Sequence, residues 1–177
     1  NEISEAKLQL NEALLLSRKL NNQRFAAICL TKLGKLESTR KDYSKAFVYL
    51  TEASEFAFQS MNEMDAAGCY FEIARVMLSL IESFRISDTL QKQIDNYSEQ
   101  IIIDSAIYLF NEAAAIYKRK AALIKYATCI ESLGDLNGYR NDNIKACANY
   151  LKAIEIYKAH NKRVELFQTC LKLSILY

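Results

Sequence analysis

Apolar residues recur along this chain at helical spacing, and the same arrangement appears four times. Ala6, Ala46, Ala106 and Ala146 are each followed seven residues later by another alanine: Ala13, Ala53, Ala113 and Ala153. Between each pair sits a large apolar residue, Leu10, Leu50, Phe110 or Tyr150. Three positions beyond the second alanine come Leu16, Phe56, Ile116 and Ile156. Three before the first come Ile3, Tyr43 and Ile103, with Asn143 breaking the series. These offsets trace one face of a helix with 3.6 residues per turn. Successive copies are 40, 60 and 40 residues apart.

A second set of columns keeps the same spacing. Leu30, Tyr70, Ile130 and Cys170 align, as do Leu33, Ile73, Leu133 and Leu173. Gly34, Ala74, Gly134 and Ser174 form a column that stays small, followed by Leu36, Val76, Leu136 and Leu176. A position held small on an amphipathic helix marks a place where two helix backbones approach closely. The pattern predicts about eight helices, over 2–20, 24–40, 43–61, 64–84, 101–119, 122–138, 143–159 and 162–177. Asp42, Asp142 and Asn143 are expected N-caps, and Asn22 and Asn161 mark turns. Short turns make neighbouring helices antiparallel. No strand is expected, because period-2 alternation is never sustained.

Composition narrows the class. Of 177 residues 51% are hydrophobic and 25% charged, none is Pro and four are Gly, which excludes a disordered chain and a turn-dense β fold. No window approaches a membrane-spanning run. The start at Asn1 and the apolar end Leu171–Tyr177 read as a single domain cut from a longer solenoid, or one capped by a partner. Five cysteines without any C-x-x-C fit neither a disulfide framework nor a zinc site. Free thiols point to a reducing cytoplasm, and Cys29, Cys69 and Cys129 share one repeat column, as packing residues would.

Charge is uneven. Residues 1–117 carry 12 Lys/Arg against 16 Asp/Glu, and residues 118–177 carry 11 against 5. The basic excess falls at two turns one repeat apart, Lys118, Arg119, Lys120 and Lys125, then Lys158, Lys162 and Arg163. Stacked turns would make them one ridge, a handle for an acidic protein partner. Without dense basic runs interleaved with aromatics, nucleic acid is not expected. Twenty extra residues between Ala74 and Ala106 form an insertion at about 84–101, where Leu90, Ile94 and Tyr97 stand at helical spacing as a second candidate partner-binding element.

Catalysis finds little support. His160 is the only histidine and sits in a turn, suited to complementing a helix C-terminus. No metal-binding, phosphate-binding or dinucleotide motif is present. No cofactor, metal or small-molecule substrate is expected, and the chain reads as no enzyme.

The runs Leu33-Gly34 to Ala46 to Ala53 and Leu133-Gly134 to Ala146 to Ala153 resemble the tetratricopeptide (TPR) signature. The 40-residue period departs from the usual 34. The longer helices it implies are similar to the SNAP-like branch of TPR-like proteins. The resemblance covers nearly the whole chain and implies an all-α fold, an α-solenoid of TPR-like antiparallel helix pairs. Glu5-Ala6, Phe25-Ala26-Ala27 with Cys29, and Leu50-Thr51-Glu52-Ala53 are similar, at the same spacings, to the huntingtin-associated TPR-like (factor VIII intron protein) family, over roughly the first third. That resemblance implies a scaffold that binds and stabilises a larger partner, huntingtin or another helical-repeat protein, in the cytoplasm and in association with endosomes. The alternative is a SNAP-like adaptor that binds helical bundles in membrane trafficking through the Lys118–Arg163 edge.

Overall fold

The computed structural model describes the backbone of residues 2–86 and 96–176, with the side chains of 3–85 and 99–176. Among the described residues there are eight helices and no strand: α1 (Glu2–Lys19), α2 (Gln23–Thr39), α3 (Tyr43–Gln59), α4 (Glu63–Ile86), α5 (Asn96–Arg119), α6 (Leu123–Tyr139), α7 (Asn143–Ala159) and α8 (Arg163–Ile175). The fold is all-α and built from repeated helix pairs. The chain divides into two compact units, Asn1–Gln93 and Ile94–Tyr177. In each unit two antiparallel hairpins stack in sequence, α2 lying between α1 and α3, and α6 between α5 and α7.

One turn serves throughout. Asn21, Lys41, Met61, Ala121, Asn141 and Asn161 each take a positive φ of 50–62° at the middle of a three-residue link. At five of these turns the following N–H reaches back to a carbonyl five residues earlier, as in Asn22 to Ser17 (2.8 Å) and Ala122 to Tyr117 (2.8 Å). This double closure satisfies the last carbonyls of the outgoing helix. The link then caps the incoming helix: Asn22 accepts from the Phe25 N–H, and Asp42 and Asp142 accept from those of Lys45 and Lys145. Asn143, expected as a cap, is instead the first residue of α7, because Asp142 already occupies the capping position.

The predicted columns form the core. Ala46, Ala53, Ala106, Ala113, Ala146 and Ala153 are fully buried. Unit 1 centres on Leu30, Leu33, Ala53, Ala57 and Cys69, with Ala46, Leu50 and Val76 beside them. Unit 2 buries Leu133, Tyr150 and Tyr157 at the places of Leu33, Leu50 and Ala57. Ala6 and Ala13 differ: both are exposed, since no described helix lies over that face of α1. The small column is required by contact. A Cβ on Gly34 would stand 2.6 Å from Leu50 Cγ, and one on Gly134 2.6 Å from Tyr150 Cε1.

The insertion is partly absorbed by its flanking helices. α4 and α5 each run 24 residues, against 17 for α2, α3, α6 and α7. α5 starts at Asn96 rather than 101, with Glu99 in its first turn, where a negative charge complements the helix N-terminus. Leu90 and Ile94 lie outside the described residues, as does the side chain of Tyr97.

Candidate functional site

The basic residues singled out in the sequence all belong to unit 2, and all are exposed. Lys118 and Arg119 end α5, Lys120 follows them, Lys158 lies in the last turn of α7, Lys162 is the N-cap of α8 and Arg163 its first residue. Two of these cations rest on aromatic faces: Lys118 Nζ is 6.0 Å from the Tyr126 ring centroid, and Lys125 Nζ is 5.4 Å from that of Tyr117.

A groove of about 520 Å³ opens along α5, α6 and α7. Its floor is apolar, with Tyr126, Ile130 and Leu133, and its walls carry Asn111, Asn137, Arg140, Lys145, Asn149 and Lys152. Its size and mixed lining suit a binding cleft. Lys152 joins Lys118 over Tyr126, with its Nζ 5.4 Å from the ring centroid. Arg140 pairs with Asp104 at 3.1 Å, and Lys145 with its capping partner Asp142 at 2.7 Å. None of the wall residues was singled out in the sequence. They are ordinary polar residues of amphipathic helices, with Arg140 the C-cap of α6.

Behind the groove lies a polar network. Lys172 of α8 donates to Glu131 and Asp135 of α6, both at 2.8 Å. The Tyr150 hydroxyl donates to Asp135 (2.7 Å) and that of Tyr157 to Glu131 (3.0 Å). Burial pulls the Lys172 pKa down, but Asp135 and Glu131 outweigh it and hold it above the ordinary value. Burial raises Asp135 and both tyrosines. Unit 1 has the same pair with its signs exchanged: Lys35 on α2 lies 3.7 Å from Glu72 on α4. An interhelical ion pair at this place survives reversal of its charges, which marks it as structural.

The cysteine column is buried. Cys129 is pushed up to about 12 by desolvation, and Cys29 and Cys69 are raised by the same cause. Buried thiols of this kind are inert packing residues.

Large apolar side chains are exposed in organised stripes. On α8, Val164, Phe167, Leu171 and Ile175 follow one another at three- and four-residue steps and are 66%, 65%, 49% and 83% exposed. On α1, Ile3 and Leu16 are exposed together with Ala6 and Ala13, and Leu20 just beyond it is exposed too. A contiguous apolar face of this sort is one on which a further helix or another protein can pack.

The chain is therefore an all-α helical-repeat protein with a polar-walled groove and open apolar helix faces. No family model matches it, and no curated protein does. No helix among the described residues is long and apolar enough to cross a membrane.

Proposed function

We propose that this chain is a non-enzymatic protein–protein interaction scaffold that binds and stabilises a larger partner, and that the partner is huntingtin or another helical-repeat protein. The apolar stripe of α8 carries the proposal. Four side chains there stand 49–83% exposed on one helix face, and covering what remains open contributes about 1–2 kcal/mol for each. A helical-repeat partner offers the complementary surface, since its own helices present ridges at the same spacing. The similarity of residues 5–53 to the huntingtin-associated family supports the choice of partner. The mixture with purified huntingtin should co-elute in size-exclusion chromatography and melt at a higher temperature than the free chain. Phe167→Glu should weaken that association by at least about tenfold. Separate elution of wild-type chain and huntingtin would remove huntingtin as the partner.

A further inference from the structure

Each full copy of the repeated pattern runs from one helix into the next. Leu33-Gly34 on α2 leads to Ala46 and Ala53 on α3, and Leu133-Gly134 on α6 leads to Ala146 and Ala153 on α7. Each run makes one closely packed helix pair. Gly34 lies against Leu50 and the Ala46 carbonyl, Gly134 lies against Tyr150, and the four alanines are fully buried.

The first and last helices each carry half of this pattern. α8 has Leu173 and Ser174 at the places of Leu33 and Gly34, and no described helix brings alanines to it. α1 has Ala6, Leu10 and Ala13 at the places of Ala46, Leu50 and Ala53, and no described helix brings the small position to it. Ala6, Ala13 and Ser174 are exposed, and Leu10 and Leu173 are half-buried.

The exposed stripe of α8 points the same way. Within each unit its positions are where one even-numbered helix meets the next, through polar contacts. Arg24 and Lys35 of α2 pair with Asp65 (2.9 Å) and Glu72 (3.7 Å) of α4, and Thr31 Oγ1 lies 3.4 Å from Cys69 Sγ. Glu131 and Asp135 of α6 hold Lys172 of α8. On α8 itself the places of Arg24, Thr31 and Lys35 are taken by Val164, Leu171 and Ile175. A repeat that ends in water carries a polar outer face, and this one has exchanged its polar positions for apolar ones. The receiving side has changed with it. On α2 the places of Asp65, Cys69 and Glu72 are held by Phe25, 58% exposed, Cys29 and Lys32. An α2 laid along α8 in the same register sets Phe25 against Val164 and Cys29 against Leu171, with the aliphatic stem of Lys32 along Ile175.

We infer that a second copy of this chain docks head to tail, its α1 completing the helix pair with α8 and its α2 lying along the Val164–Leu171–Ile175 stripe. The contact uses two different faces, so each added copy leaves one of each open and assembly grows unless a ring closes. The inference does not rest on huntingtin; it names the occupant of the same stripe when the chain is alone.

Light scattering after size-exclusion chromatography, over about 1–200 μM chain, tests it. The wild-type mass should rise with concentration from the 20.3 kDa of one copy to at least about twofold that value. Leu171→Glu/Ser174→Trp closes the α8 face, and Ala6→Glu/Ala13→Glu closes the α1 face. All four side chains are exposed, so both variants should keep the wild-type helical circular dichroism. Each variant alone should stay at one copy. Mixed together they should form a complex of two copies and stop there, since one open α8 and one open α1 remain to meet. Three results would overturn the inference: a wild-type chain at one copy throughout, self-association of either variant alone, or a mixture no heavier than its components. A single-copy chain that still co-elutes with huntingtin would sink head-to-tail docking alone, whereas assembly without co-elution would sink only the choice of partner.

Discussion

The ring of Tyr150 occupies the space a side chain on Gly134 would need, and Leu50 does the same to Gly34. Gly138, four residues on, has only Leu176 Cδ2 near, at 3.9 Å. Gly34→Ala and Gly134→Ala should each bring an overpacking cost of about 1–3 kcal/mol, partly offset by the better helix propensity of alanine. Gly138→Ala has no such clash and should stabilise by about 0.5–1 kcal/mol. Thermal melts of the three variants check the contrast. Equal behaviour at all three positions would contradict the close-approach account.

Lys172 bridges two carboxylates that its removal would leave facing each other. Lys172→Met should cost about 1–3 kcal/mol at neutral pH, below the figure for a fully buried pair because solvent reaches the lysine. The pH dependence has a defined sign. Lys172, Tyr150 and Tyr157 all hold protons more tightly when folded. Their contribution is complete below the ordinary lysine and tyrosine values and is lost as pH rises through the folded ones. The melting temperature should therefore fall above about pH 10, and less steeply in Lys172→Met. Asp135 is also raised, so its share is present in acid and gone before the alkaline limb begins. A flat alkaline profile would contradict this reading.

The positive φ at Ala121 has no glycine to relieve it. Left-handed backbone costs an L-residue about 1–2 kcal/mol, so Ala121→Gly should stabilise by about 1 kcal/mol, a gain of roughly 4–8 °C in a unit of this size. A lowered melting temperature would show that the turn is not strained.

Thiol labelling should follow burial. Cys170 is exposed and Cys147 half-buried, while Cys29, Cys69 and Cys129 are buried. Maleimide at neutral pH should modify Cys170 first and Cys147 next, and reach the other three only on unfolding. Early labelling of Cys129, whose pKa is near 12, would contradict the packing role.

The helices were legible in the sequence because each carries a periodic apolar stripe. Their bounds agree within two residues except around the insertion, where α5 begins five residues early. Asp42 and Asp142 were legible as caps because the capping residue is local to the helix it starts. The turns were less so, since lysine, methionine and alanine at Lys41, Met61 and Ala121 give no hint of left-handed backbone. The Lys172 network joins residues 37–41 positions apart, across α6 and α8, and no local pattern announces it. The groove was hidden for a different reason. Its lining differs between the two copies, Lys7 and Glu37 against Ile107 and Asn137, whereas repeat reading looks for sameness.

Hydrogen–deuterium exchange, compared between the free chain and its mixture with purified huntingtin, reads the proposed scaffold role segment by segment. Bound partner should slow exchange in α8, where Val164, Phe167, Leu171 and Ile175 stand uncovered, and leave the interior helix α2 unchanged. Identical exchange in every segment with and without huntingtin would contradict it.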